Sequence, residues 1–197
     1  KRKKGFTFMK VPIARTALTE NEIESVLAPL KSGWLVQGPK VKEFEEAWGA
    51  FTKSKHNIAV TSCTTALELS LAALGFKPGD EAIVPAFTWI STANVIEHQG
   101  AKPIFCDIDP VTFNIDVSKI EDLVTEKTVG ILPVHLFGLA ADMEPIMAIA
   151  EKHSLWIIED AACGFGSTYR GQHVGYFGNA GAFSFHPRKA ITTGEGG

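Results

Sequence analysis

Short apolar runs alternate with amphipathic stretches along almost the whole of this chain, and no other feature constrains its fold as much. Apolar runs of roughly four to eight residues bounded by turn signals read as buried strands, and apolar positions at helical spacing read as the helices that cover them. Strands are expected at Asn57–Val60, Glu81–Val84, Pro103–Cys106, Val129–Val134, Leu155–Glu159 and Gly181–Phe185. Helices are expected at Glu20–Leu30, Val41–Phe51, Thr65–Leu74, Ser91–Gln99, Ser118–Val124 and Met143–Lys152. Such alternation folds as a parallel sheet between helices, an α/β architecture. Gly75, Pro78 and Gly79 end one helix and turn the chain before the strand at Glu81. Tyr169-Arg170-Gly171-Gln172-His173 reads as a hairpin turn. No internal repeat or low-complexity stretch interrupts the pattern.

Ligands of open α/β sheets collect beyond the carboxyl ends of the strands, so the residues after each predicted strand are the first candidates for chemistry. Ile58-Ala59-Val60 runs into Thr61-Ser62-Cys63-Thr64-Thr65 and then a helix start. Exposed N–H groups and the helix dipole favour a phosphate there, to which the Thr64 and Thr65 hydroxyls could add hydrogen bonds; a plain Ser/Thr N-cap is the simpler reading. Trp89, in Pro85-Ala86-Phe87-Thr88-Trp89, is either a shelf for a flat ligand or an ordinary core aromatic. Ile157-Ile158-Glu159-Asp160 ends an apolar strand in two carboxylates, with Asp160 facing a ligand or capping the next turn. Ser184-Phe185-His186-Pro187-Arg188-Lys189 leads into Thr192-Thr193-Gly194-Glu195-Gly196-Gly197, and Lys189 there is either a reactive amine or a solvated surface charge.

That last run looks like the lysine segment of an enzyme dependent on pyridoxal 5'-phosphate (PLP). Taken together and in this order, the four segments resemble the DegT/DnrJ/EryC1/StrS sugar aminotransferases, of the type I PLP fold. The resemblance runs from about Val11 to Gly197 and includes Gly33-Trp34, Gln37-Gly38-Pro39-Lys40-Val41, Asp107-Ile108-Asp109-Pro110, Thr112-Phe113-Asn114 and Pro133-Val134-His135-Leu136-Phe137-Gly138. It implies the three-layer large domain of that fold, with a mostly parallel sheet. Because family members are nearly twice as long, it also implies a chain that stops before the C-terminal domain, preceded at residues 1–10 by a basic tail.

The resemblance further implies roles. Lys189 would carry the cofactor as its internal aldimine and shuttle a proton, and Asp160 would pair with the pyridine nitrogen. Trp89 would stack on the ring, while Thr64, Thr65 and Ser184 would hold the phosphate. The implied reaction is transamination of a nucleotide-linked keto sugar from glutamate or glutamine, in lipopolysaccharide or other deoxyamino-sugar biosynthesis, by a homodimer. Lys at position 189 separates the chain from family members that carry His there and remove a sugar hydroxyl. Two residues depart from the family pattern: Cys63 stands where Gly is usual, and Cys163 where Gln often follows the acidic strand. His135 either lines the pocket or is structural, and His186 is read as a loop or core histidine. Two other classes stay open: a non-catalytic PLP-binding regulator or scaffold, and another type I PLP enzyme such as a desulfurase, lyase or amino-acid aminotransferase.

Composition excludes several alternatives. The 197 residues are 45% hydrophobic with a formal net charge of −3, as in ordinary globular proteins. Lys1-Arg2-Lys3-Lys4 is too short and isolated to read as a nucleic-acid site. No apolar run is long enough to cross a membrane, and no secretory h-region follows the basic start. Cys63, Cys106 and Cys163 lack CxxC and metal-ligand spacing, so they read as reduced thiols of a cytoplasmic protein with no metal site.

Overall fold

The computed structural model describes residues 11, 12 and 14–197; the basic tail expected at residues 1–10 lies outside the described residues. Five parallel strands form the main sheet: β1 (Glu81–Pro85), β2 (Lys102–Cys106), β3 (Thr128–Ile131), β4 (Trp156–Asp160) and β7 (Ala180–Ala182), in the order β2-β1-β3-β4-β7. The predicted turn at Arg170-Gly171 joins β5 (Thr168–Tyr169) to β6 (Gln172–His173), with φ of 49° and 82° at its two central residues, as a two-residue hairpin demands.

Strand alternation sorts the core into two layers. Ala82, Val84, Leu132 and Ile158 face α3 (Cys63–Ala73) and α4 (Ser91–His98), whereas Ile83, Ile131 and Ile157 face α5 (Met143–His153). Helices therefore cover both faces, the three-layer arrangement expected. On the far side, α2 (Pro39–Thr52) is held by aromatics. Trp48 meets Phe183 edge-on at 4.9 Å and Phe185 at 5.2 Å between ring centroids. Helix α1 (Glu20–Ser32) starts at a capping box in which Glu22 reaches back to Thr19, and it buries none of its residues.

Two expected elements differ. Residues 118–124 form two 3₁₀ turns, Val117–Lys119 and Glu121–Leu123, instead of an α-helix. The apolar residues Val117, Ile120 and Leu123 recur every third position, and a three-residue turn puts all of them on the α5-side core. Residues 57–60 form no strand of the sheet: Ala59 N–H donates to Glu45 Oε1, and Val60 exchanges both backbone hydrogen bonds with Gly197 alone. Strand β3 is shorter than expected because Pro133 has no N–H to donate. The ladder resumes beyond it, where Val134 bridges Asp160.

The end of β4 is fixed by Glu159, fully buried on the α5 face. Its carboxylate accepts from Gly175 N–H and Gly178 N–H, both at 2.7 Å, and from His135 Nε2–H at 2.9 Å. His135 is itself fully buried, and its Nδ1 accepts from Ala141 N–H at 3.1 Å, which sets the tautomer. Glu159→Ala strands one buried and two partly buried donors and should cost about 3–5 kcal/mol in denaturant unfolding. Lys40→Ala, which breaks an ion pair whose side chains are 64% and 67% exposed, should leave the unfolding midpoint unchanged.

Candidate active site

The carboxyl ends of β1, β4 and β7 and the start of α3 surround a cavity of about 360 Å³, within the range of small-molecule sites. Thr64, Trp89, Asp160, Ser184 and Lys189 line it, so five of the six candidate residues are brought together. Thr65 is not in its wall. Its N–H donates to Ser62 Oγ at 3.1 Å, and its hydroxyl lies 3.1 Å from those of Thr61 and Ser62. Ser62 is thus a true N-cap, the simpler reading of this turn. Capping leaves the N–H groups of Cys63 and Thr64 without an intrahelical acceptor, pointed where an anion is favoured. A second hollow of about 420 Å³, between α2, residues 54–59 and the edge of β7, holds none of the candidates.

Asp160 leaves β4 on the face opposite Glu159. It is 4% exposed, accepts from Thr92 Oγ1–H at 2.7 Å and from Ala162 N–H at 3.1 Å, and lies 4.0 Å from Cys63 Sγ. Burial pushes its carboxyl above the ordinary aspartate range; the Thr92 hydroxyl, the Ala162 amide and the Lys189 charge counter this without cancelling it. Thr92 is a residue that the sequence reading missed. It is fully buried in the first turn of α4, and its hydroxyl bridges Asp160 and the Trp89 carbonyl.

Lys189 sits in a loop that closes on itself after β7. Phe185 N–H donates to Gly196 C=O, Thr193 N–H to Phe185 C=O, and Lys189 N–H to His186 C=O. The loop's end lies directly against the α3 turn: a Cβ on Gly197 would stand 2.3 Å from the Ser62 carbonyl carbon, so only glycine fits. Half-buried, Lys189 donates from Nζ to Cys163 Sγ at 3.1 Å. Arg188 and Glu195 add charge to the same wall, which His186 also lines. His186 is the loop histidine expected. His135, for which a place in the pocket was the other reading, is buried beneath β4 and does not line the cavity. Trp89 is 72% exposed at the cavity rim and, among the described residues, packs on no other ring. Among the described residues no cluster of three or more His, Cys, Asp or Glu is arranged to hold a metal, and no helix is long and apolar enough to cross a membrane.

The raised pKa of Asp160 has a stability consequence with a definite sign. The folded chain binds the proton more tightly than the unfolded one, so Asp160 is least costly below the unfolded value near ~3.9, and stability falls as pH rises through the higher folded-state value. Asparagine mimics the protonated form: its carbonyl can keep the Ala162 bond and its amide can donate to Thr92 Oγ1. Asp160→Asn should therefore melt with the wild type at pH 3 and above it at pH 7, in paired thermal melts without added ligand.

Known proteins share this layout. Residues 16–197 match the DegT/DnrJ/EryC1/StrS aminotransferase family. The spore coat polysaccharide biosynthesis protein SpsC of Bacillus subtilis (strain 168) is 47% identical over 187 residues, covering 95% of this chain and 48% of the relative. GDP-perosamine synthase of Caulobacter vibrioides is 46% identical over 189 residues, covering 95% and 51%. The PLP form of Spr1654 from Streptococcus pneumoniae, described as a candidate sugar aminotransferase, superimposes with a TM-score of 0.92 at 38% identity, covering 95% of this chain and 52% of that one. The chain thus spans about half the length of the relatives it matches. A family match over nearly every described residue, shared with relatives close to half identical, makes this chain a member of the DegT/DnrJ/EryC1/StrS aminotransferase family.

Proposed function

We propose that the protein carrying this chain is a PLP-dependent aminotransferase that moves an amino group from glutamate or glutamine to a nucleotide-linked keto sugar, in polysaccharide or other deoxyamino-sugar biosynthesis. The observation that carries the reading is the convergence of an amine, Lys189, and a buried carboxyl, Asp160, on one cavity whose floor is a helix start. PLP needs those three partners: an amine for its aldehyde, an acid for its ring nitrogen and N–H donors for its phosphate. When bound, the cofactor supplies an electron sink that makes the proton beside the substrate amine removable.

The rest is the work of this chain's residues. Asp160 has acceptor capacity left after Thr92 and Ala162, and a cationic N–H brought against it would stabilise the carboxylate that burial disfavours. Ser184, the Thr64 hydroxyl and the free N–H groups of Cys63 and Thr64 would bind the phosphate; Thr65, whose N–H is spent on the cap, has only its hydroxyl to offer. Trp89 would cover one ring face. Lys189, freed from the cofactor, is the base that would carry the proton across the cavity.

Residues 11–197 are proposed as the N-terminal part of the large domain. The exposed apolar residues Trp34, Leu35 and Val36 after α1 are consistent with a homodimer. Three free thiols are consistent with a cytoplasmic setting.

The purified full gene product should take up PLP, and borohydride reduction followed by peptide mapping should place the label on Lys189. Lys189→Ala should lose both the label and the visible absorbance of the bound cofactor. Glutamate should convert the absorbance of the bound cofactor, and a keto sugar nucleotide should restore it. Label on another lysine would overturn the assignment, and an unchanged spectrum with glutamate would favour the non-catalytic reading.

A further inference from the structure

Cys163, flagged by the sequence as a departure from the family pattern, is the exposed thiol of the chain's three; Cys63 and Cys106 are buried. Burial pushes the Cys63 thiol well above its ordinary range, reinforced by Asp160, and pushes Cys106 to about 11. Cys163 stands on the tight turn that follows β4, where Gly164 N–H donates to Ala161 C=O. The lysine loop delivers Lys189 to the same place from the other side, and the two side chains meet at 3.1 Å on the wall of an open cavity. Among the described residues, neither Cys163 Sγ nor Lys189 Nζ has another hydrogen-bond or ion-pair partner. Asp160, Cys63, His186, Arg188 and Glu195 face the same cavity without contacting either atom.

We propose that Cys163 and Lys189 act as a joined thiol–amine pair, a modification site for small dicarbonyl electrophiles that engages both side chains at once. With two aldehydes in ortho positions on an aromatic ring, the lysine nitrogen bonds to both aldehyde carbons and the thiol sulfur bonds to one of them. Two C–N bonds and one C–S bond form, both carbonyl oxygens leave as water, the four hydrogens of that water are two from the neutral amine, one from the thiol and one aldehyde C–H lost as the ring aromatises, and no oxidant is consumed. The pairing favours this outcome because the second bond closes within one molecule once the first has formed. A monocarbonyl such as PLP uses the amine alone. Cofactor held on Lys189 therefore removes the site, and the electrophile selects the cofactor-free protein.

The probe is ortho-phthalaldehyde, whose reaction with a neighbouring amine and thiol gives a fluorescent isoindole. On the full gene product freed of PLP, it should give that fluorescence and a linked peptide pair joining Cys163 to Lys189. Both signals should vanish in Cys163→Ser and in Lys189→Ala, and after PLP has been fixed to Lys189 with borohydride. Cys163→Ser should still accept PLP at Lys189, which shows that the variant keeps its fold. A wild-type protein that accepts PLP at Lys189 but yields no 163–189 link overturns the pair and leaves the aminotransferase reading intact. A link that survives in Cys163→Ser through another thiol overturns it equally. A 163–189 link in a protein that refuses PLP would support the pair and count against the cofactor assignment.

Discussion

Two adjacent carboxylates end β4, and burying both of them is the constraint around which the site is arranged. Neither can be left unpaired in an apolar interior without a large cost. Strand alternation sends them to opposite faces, and the chain treats them differently. Glu159 receives two backbone amides and an imidazole, so its acceptors are well occupied and it ties the loop after β3 to the loop after β6. Asp160 receives one hydroxyl and one amide, and burial keeps its carboxyl raised. A carboxylate has about four acceptor positions, so Asp160 has capacity to spare, directed at the cavity. Glu159 locks the framework, and Asp160 holds the unsatisfied electrostatics that a cationic ligand group would relieve. Stability given up at such a position is a common cost of a binding site.

The sequence made the α/β alternation, the layers and most of the site legible because each of these is local. A strand followed by a Ser/Thr turn, or by a carboxylate, can be read from a few neighbouring residues. Thr92 could not be found that way, since its partner Asp160 is 68 positions distant and a buried threonine in a helix is unremarkable by pattern. Glu159 was visible only as the neighbour of Asp160, and its three donors come from loops that the strand order brings together. His135 stayed ambiguous because the same Val134-His135-Leu136 segment serves a pocket wall or a core; the Glu159 contact decides for the core. Where local reading failed, apolar spacing was the reason. A three-residue repeat at Val117, Ile120 and Leu123 imitates the start of an α-helix, and an apolar run at residues 57–60 imitates a strand that lacks a neighbour in the sheet.

The contact between the lysine loop and the α3 turn determines how the site can vary. Val60 and Gly197 exchange both backbone hydrogen bonds, and Gly197 approaches Ser62 and Cys63 more closely than any side chain would allow. The turn at the start of α3 and the lysine loop are therefore joined through backbone, independently of the side chains that line the cavity. Thr64 joins the same turn to α4 through Ser91, at 3.0 Å, and α4 carries the Thr92 that holds Asp160. Amine, helix start and buried acid are thus positioned by one continuous chain of contacts. Side chains off that chain, such as Cys163 and Arg188, can change without moving the core geometry. Cys163 touches the amine at its free end and not along its supports, so it can add a reactivity to the site while the lysine, the acid and the helix start keep their places.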